Sequence, residues 1–331
     1  MKARSIPEAF RGNLRIPVIG SPLFIVSGPE LVIAQCKAGI VGSFPALNAR
    51  PKEMLEEWII RIKLELAEYK RENPDAVVAP FAVNQICHKS NDRLHHDMDI
   101  CIKHEVPLII TSLRAPREVV DGAHSYGGIV MHDIINIRHA KKAIDEGADG
   151  IIAVCAGAGG HAGTLSPFAL IPELREWFDG PIALSGSITN GQSVLAAEAV
   201  GADFAYIGTR FIATKEANAE GRYKEMIVDS QASEVVYSNL FTGVHGNYLG
   251  KSIVAAGLDP NDLPESDPSK MNFGSGGNQD KKVWRDIWGA GQGVGTIHDV
   301  PGVAEVVDRM VGEYQAAKSK LLDGPHPAMA R

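Results

Sequence analysis

The sequence has no apolar run that approaches the length of a membrane-spanning helix, and no apolar signal-peptide stretch near its beginning. It also has no excess of positive charge, because 33 Lys and Arg stand against 40 Asp and Glu, for a formal net charge of −7. This balance argues against nucleic acid and against an anionic membrane as partners. We therefore expect a cytoplasmic protein that acts on a small molecule.

Cysteine is scarce, and several familiar catalytic motifs are missing. The four cysteines show neither a CxxC motif nor a zinc-site spacing, so we expect them to be reduced core residues: Cys36, Cys87, Cys101 and Cys155. No HExxH, GxSxG, Walker A or EF-hand motif occurs. Metal-dependent hydrolysis, serine-hydrolase chemistry and NTP hydrolysis are therefore disfavoured, and no metal site is expected.

Eight short runs rich in β-branched residues alternate with longer amphipathic segments. The eight runs are apolar nearly throughout, which is typical of parallel strands that are covered on both faces. Eight such strands with helices between them predict an α/β fold, a (β/α)8 or TIM barrel. The predicted strands span 16–20, 40–44, 77–84, 107–112, 128–132, 149–154, 181–186 and 203–208.

The strand–helix alternation stops after the sequence IGTRF. We interpret residues 214–297 as a mostly helical, loop-rich cap inserted after the eighth strand, which shapes the substrate pocket. The barrel then comprises residues 1–213 and 298–322, with a final helix that returns to its side. Inside the cap, residues 272–282 are predicted to form a loop. The tail at 323–331, which follows the final helix, is predicted to be disordered.

Two glycines at the ends of predicted strands seven and eight suggest a phosphate site. Gly186 and Gly208 leave backbone N–H groups accessible there, and each is followed by a hydroxyl residue, Ser187 and Thr209. In TIM barrels, phosphate groups often bind after these two strands. A single glycine turn is readily explained as a simple connection, but two neighbouring ones favour a bound phosphate.

The stretch AVCAGAGGHAG, at predicted strand six, surrounds His161 with glycines. Gly157, Gly159 and Ala162 formally match a dinucleotide-binding fingerprint, but the next helix is expected only near Pro167, which disfavours that interpretation. The glycines leave room for a flat ligand, and an imidazole is suited to proton transfer near neutral pH. We expect His161 to be catalytic; a structural role in fastening the loop is the alternative.

Two further polar residues stand at promising positions. Asn84 closes the third predicted strand, where its carboxamide is suited to pairing with the donor and acceptor edges of a flat heterocycle. Gln292 is the only functional side chain in the glycine-rich segment WGAGQGVG, and we include it among the candidate cofactor contacts.

With these residues placed, the chain resembles the nitronate monooxygenase family, formerly called 2-nitropropane dioxygenases. The resemblance rests on the ordered set PVIGSPL, FAVN, TSL, AGGHAG, LSGSI and IGTRF, and it covers about residues 14–213 before resuming at AGQG. It implies an FMN-dependent barrel. Relatives in this group include NAD(P)H:quinone reductases and FMN-dependent enoyl-ACP reductases.

The resemblance also implies roles for individual residues. His161 would match the catalytic histidine of the family, and FMN would be the cofactor. The implied FMN contacts are Gly186, Ser187, Gly208 and Thr209 at the phosphate, and Ser21, Pro22, Leu23, Asn84, Ala156 and Gly157 along the flavin.

Three positions depart from the pattern of many relatives. Leu23 stands where a methionine is common, Ser187 where a second glycine is common, and Asp133 where quinone-reductase-like members often carry a lysine. The leading expectation is oxidation of alkyl nitronates by O2 to a carbonyl compound and nitrite, with nitroalkanes as further substrates. An NAD(P)H-dependent reductase and a non-redox phosphate-binding barrel remain alternatives, and a homodimer is left open.

Overall fold

The computed structural model describes residues 6–114, 116–266 and 287–322. The predicted loop at 272–282 and the predicted disordered tail at 323–331 lie outside these residues. All eight predicted strands are present, and three further short strands lie outside the barrel. The strands are β1 Val18–Gly20, β2 Gly42–Pro45, β3 Phe81–Ile86, β4 Leu108–Ser112, β5 Ile129–Ile134, β6 Gly150–Val154, β7 Gly160–His161, β8 Ile182–Ser185, β9 Phe204–Ile207, β10 Val235–Ser238 and β11 Gly246–Leu249.

Eight parallel strands form the barrel in the order β1-β9-β8-β6-β5-β4-β3-β2. A parallel bridge between Ile19 and Val41 joins the two ends of this order and closes the barrel. The predicted (β/α)8 fold is therefore confirmed. All eight strands present their carboxyl ends at one edge, which we call the barrel mouth, and this edge is where barrel enzymes carry their chemistry.

Helices cover the outside of the barrel, as the amphipathic segments predicted. They are α1 Pro29–Lys37, α2 Met54–Glu72, α3 Leu94–Lys103, α4 Arg117–His124, α5 Ile137–Asp145, α6 Pro167–Arg175, α7 Gly191–Val200, α8 Thr209–Ile212, α9 Gly221–Val228, α10 Gly250–Ala255 and α11 Val303–Leu322. Helix α6 begins at Pro167 as expected, so no helix opens inside the glycine-rich stretch around His161.

Two apolar layers make up the core of the barrel. Inner-face residues of the strands form one cluster, and residues between the strands and the helices form a larger one. The four cysteines are free and buried, as predicted. Burial raises the pKa of the Cys36 thiol to about 12, so this thiol is uncharged near neutral pH.

Helix α11 takes the place of the eighth barrel helix. It packs between α7 and α1. Its contact with α7 is close enough that a Cβ on Gly191 would lie 2.2 Å from the Met310 carbonyl oxygen. The Glu313 carboxylate also accepts a hydrogen bond of 2.7 Å from the Gly191 N–H. The last helix therefore packs on the barrel wall.

The segment between α8 and α11 carries a small antiparallel sheet in addition to helices. Strands β10 and β11 form a hairpin, and β11 also pairs with β7, the two-residue strand that contains His161. This pairing is very close, because a Cβ on Gly246 would lie 2.7 Å from the Gly160 carbonyl oxygen. The sequence analysis did not predict this sheet, which ties the His161 loop to the cap.

The described part of the chain contains neither a membrane-spanning helix nor a metal-binding cluster of side chains. None of its helices has the length and apolar character needed to cross a membrane. Within residues 6–114, 116–266 and 287–322, no group of three or more His, Cys, Asp or Glu side chains is arranged to hold a metal ion.

Candidate active site

The ends of β8 and β9 present backbone donors at the barrel mouth. Among the described residues, the N–H groups of Gly186, Ser187, Gly208 and Thr209 have no hydrogen-bond acceptor. The two strands are neighbours in the barrel, so these four donors lie on adjacent strand ends. Several N–H groups directed at one place are suited to binding a phosphate.

Close contacts with neighbouring loops explain the glycines at these ends. A Cβ on Gly208 would lie 2.6 Å from the Ser21 hydroxyl oxygen and 3.1 Å from a methyl carbon of Leu23. A Cβ on Gly186 would lie 2.8 Å from the Ala156 carbonyl oxygen. The loops after β1, β6, β8 and β9 therefore meet here, and they bring together most of the residues predicted to contact a cofactor.

The segment that carries Gln292 lies directly against these loops. The Gln292 N–H donates to the Gly157 carbonyl oxygen at 2.9 Å, and the Gly291 N–H donates to the Thr209 hydroxyl oxygen at 2.9 Å. A Cβ on Gly157 would be 3.0 Å from the Gln292 side-chain oxygen. Because the Thr209 oxygen already accepts from Gly291, its own proton is available to a ligand.

Ser187 adopts a backbone conformation that favours glycine, with φ at +56°. A non-glycine residue in this region costs roughly 1 kcal/mol, and such strain tends to occur at functional sites. The hydroxyl oxygen of this exposed serine lies 3.5 Å from the Gly157 carbonyl oxygen. The chain therefore keeps a hydroxyl at the predicted phosphate position despite this backbone cost.

Asn84 is buried at the mouth on the inner face of β3. Its side-chain NH2 donates to the Ile110 carbonyl oxygen at 3.1 Å and to the Ser112 hydroxyl at 2.9 Å. The sequence analysis expected both edges of the carboxamide to meet a ligand. The side-chain NH2 of Asn84 instead bonds within the barrel, so only its side-chain oxygen remains available to a ligand, as an acceptor.

His161 is half-buried where the barrel loop meets the cap. Its imidazole Nε2 lies 3.0 Å from the hydroxyl oxygen of Thr242. Two further cap side chains hold the same loop, since the Asn247 NH2 donates to the Ala158 carbonyl oxygen at 2.7 Å and the Tyr237 hydroxyl donates to the Ala162 carbonyl oxygen at 2.9 Å. The cap therefore fixes the position of the histidine.

Burial and a nearby carboxylate act in opposite directions on His161. Burial lowers its pKa below the ordinary histidine value, and the negative charge of Asp133 offsets part of this effect. The neutral imidazole, which is the form that can accept a proton, is therefore favoured near neutral pH.

Asp133 lies on the inner face of β5, near the mouth. Met131 belongs to the apolar cluster inside the barrel, and strand alternation places Asp133 on the same face. Burial, together with the Asp133 charge, raises the pKa of Tyr206, which belongs to the same inner cluster on β9. The negative charge of Asp133 therefore raises the pKa of groups around the mouth, namely His161 and Tyr206.

Sequence patterns did not reveal two of these features. Thr242 lies 81 residues from His161 in a segment without a recognisable motif, so only the fold brings the two together. The side-chain direction of Asp133 could have been inferred from the alternation along β5, but the fact that no described residue forms a hydrogen bond or ion pair with it could not.

A family model described as nitronate monooxygenase matches residues 13–313. The chain is 26% identical over 238 residues to a protein of Rhodococcus jostii named (3aS,4S,5R,7aS)-5-hydroxy-7a-methyl-1-oxo-octahydro-1H-indene-4-carboxyl-CoA dehydrogenase. That match covers 72% of this chain but only 64% of the relative. A nitronate monooxygenase of Paraburkholderia phytofirmans is 24% identical over 353 residues, covering 92% of this chain and 94% of that protein.

The fold also has a solved counterpart. A crystal structure of nitroalkane oxidase from Streptomyces ansochromogenes superposes with a TM-score of 0.79 at 21% sequence identity. The match covers 95% of this chain and 100% of the other. At this level of identity the similarity establishes the barrel fold.

Proposed function

The chain belongs to the nitronate monooxygenase family, and from this premise we propose that it is an FMN-dependent enzyme that oxidises alkyl nitronates with O2. Two nitronate ions and one O2 give two carbonyl compounds and two nitrite ions, so each carbonyl formed takes up one of the two oxygen atoms of O2. Neutral nitroalkanes are further substrates. The observation that carries the proposal is the meeting of unpaired backbone donors on β8 and β9 with the His161 loop at one barrel mouth.

The residues at the mouth fit FMN in both shape and donor chemistry. The N–H groups of Gly186, Ser187, Gly208 and Thr209, which have no acceptor within the described part of the chain, would hold the phosphate. A Cβ on Gly208 would press on the Ser21 hydroxyl and on Leu23, so the β1 loop lies alongside this glycine. The flavin would lie along Ser21, Pro22, Leu23, Ala156 and Gly157, with the Asn84 oxygen as an acceptor and Gln292 beside Gly157.

The protein residues then have distinct tasks. When bound, FMN supplies the transfer of electrons from the substrate to O2. His161 removes the α-proton of a neutral nitroalkane, because burial favours its neutral form. A nitronate has already lost that proton, so His161 only orients it by hydrogen bonding. The cap contacts through Thr242 keep the imidazole in place.

A reductase that uses NAD(P)H is the second candidate. The Rhodococcus jostii relative carries the name of a dehydrogenase, although the matched region is only 64% of its length. No such electron donor is required for nitronate oxidation, so the two functions can be separated by experiment.

The proposal is tested by supplying purified protein, loaded with FMN, with ethyl nitronate in air. We expect O2 consumption with acetaldehyde and nitrite in equal amounts, and no need for a pyridine nucleotide. Protein that remains colourless after incubation with FMN, or that forms no nitrite, would contradict the proposal. Protein treated to remove FMN serves as the control.

A further inference from the structure

One carboxylate at the barrel mouth, that of Asp133, affects the pKa of His161 but has no other task in the proposed chemistry. Among the described residues, the Asp133 side chain makes neither an ion pair nor a hydrogen bond. It is half-buried on the inner face of β5, where an unpaired charge loses part of its hydration. Arg114, which follows β4, donates instead to the Cys87 carbonyl oxygen at 3.3 Å.

Three partly exposed apolar residues stand in the loops that follow neighbouring strands at the same edge of the barrel. Leu113 and Ile135 directly follow β4 and β5, and Leu165 lies in the connection from β6 to α6, where its carbonyl oxygen accepts from the Ala156 N–H at 2.8 Å; the three are 37%, 39% and 38% exposed. Ile135 lies against the His161 loop, because a Cβ on Gly163 would be 2.9 Å from the Cβ of Ile135. Leu113 has a left-handed backbone with φ at +72°.

We propose that Asp133 selects against substrates that carry a second negative charge, and that the pocket accepts nitronates and nitroalkanes with an uncharged alkyl body. This inference rests on the proposed function. The carboxylate repels a carboxylate on the substrate, whereas the apolar rim of Leu113, Ile135 and Leu165 accommodates an alkyl chain.

The size of the effect follows from simple electrostatics. Repulsion between the Asp133 carboxylate and a substrate carboxylate weakens substrate binding by about tenfold, because the pocket is partly exposed and its effective permittivity is high. Salt weakens the effect, because the pocket opens to solvent. The reacting nitronate group itself carries one charge in every such substrate, so a comparison between substrates isolates the second charge.

The first test compares propionate 3-nitronate with butyl nitronate, which is similar in length but lacks the carboxylate. Wild-type protein is expected to prefer butyl nitronate, and Asp133→Asn to reduce this preference about tenfold, mainly through KM. Asp133→Glu keeps the charge and should keep the preference. Asp121→Asn removes an exposed charge on α4 and serves as the matched control. An unchanged preference in Asp133→Asn would overturn the inference.

The second test needs no turnover. Succinate and butyrate, which have equal chain lengths but carry two and one carboxylates, are titrated into FMN-loaded protein, and binding is read from the visible flavin spectrum. One carboxylate stands in for the nitronate group, so the second carboxylate of succinate is the charge under test. Asp133→Asn should raise the affinity for succinate relative to butyrate about tenfold. If the ratio of the two affinities is unchanged in Asp133→Asn, the inference fails even where nitronates are oxidised. If the ratio rises but no nitronate is oxidised, the proposed function fails and the selectivity stands.

Discussion

The imidazole Nε2 of His161 and the hydroxyl oxygen of Thr242 lie 3.0 Å apart, which joins the barrel loop to the cap. The Thr242 hydroxyl donates its single proton to the Val244 carbonyl oxygen at 2.8 Å and accepts from the Val244 N–H at 3.1 Å. The imidazole Nε2 must therefore be the donor in its bond to Thr242.

Thr242 is accordingly predicted to be a positioning residue. Thr242→Val keeps the side-chain shape but removes the acceptor, so kcat/KM for nitroethane should fall about five- to tenfold, as expected for the loss of one hydrogen bond. Ethyl nitronate should be affected less, since it needs no proton removal. Thr242→Ser should restore most of the activity on nitroethane. Equal losses in the valine and serine variants would argue against this role.

The pH dependence should reflect the buried position of His161. Burial lowers its pKa, so the neutral base persists to lower pH than for an exposed histidine. We expect kcat/KM for nitroethane to rise with pH and to reach its plateau with a midpoint below about 6.5, the usual histidine value. Asp133→Asn removes a charge that raises this pKa and should move the midpoint lower still. A midpoint above the usual value would contradict the assignment.

Removing the imidazole should separate the two substrate types. In His161→Ala, activity on nitroethane is expected to fall ~10²–10⁴-fold, the usual contribution of a general base. Activity on ethyl nitronate should fall much less, and FMN content should not change. If both substrates lose activity equally, or the variant is purified without flavin, His161 serves to hold the loop rather than to move a proton.

The phosphate site can be tested at Gly208. A Cβ there would lie 2.6 Å from the Ser21 hydroxyl oxygen, so Gly208→Val should weaken FMN binding about tenfold or more. The backbone φ of −110° is accessible to other residues, so the effect is expected to be local. Gly221→Val, in open space at the start of α9, is the matched control. FMN affinity by fluorescence titration and the melting temperature of the apoprotein give the two readouts. Unchanged FMN affinity in Gly208→Val would contradict the assignment.

Much of the barrel could be predicted because its strands are buried on both faces. Such strands appear in the sequence as continuous apolar runs. The ends of β8 and β9 were recognisable because a glycine immediately follows each run. Strands β10 and β11 escaped prediction because neither is a continuous apolar run: β10 is mostly accessible to solvent, and β11 begins with Gly246 and Asn247. Their stability comes from pairing with each other and, for β11, with β7, which leaves little trace in local sequence.

The candidate site also contains features that the sequence predicted and contacts that it did not. His161 was identifiable from its glycine neighbours, but its hydrogen bond to Thr242 joins two loops that only the fold brings together. Asn84 was predicted to close the third strand, but β3 continues to Ile86, and the donor edge of its side chain is used by β4, a contact that requires the three-dimensional register. Side-chain partners across strands are thus the part that sequence patterns leave undetermined.

The most direct test of the proposed function is anaerobic mixing of FMN-loaded protein with ethyl nitronate, NADH or NADPH in separate experiments, with the flavin absorbance followed in time. We expect ethyl nitronate to bleach the flavin absorbance rapidly, and neither pyridine nucleotide to do so on the same timescale. Rapid bleaching by NADH or NADPH, with no response to ethyl nitronate, would contradict the proposed function and identify the protein as a reductase.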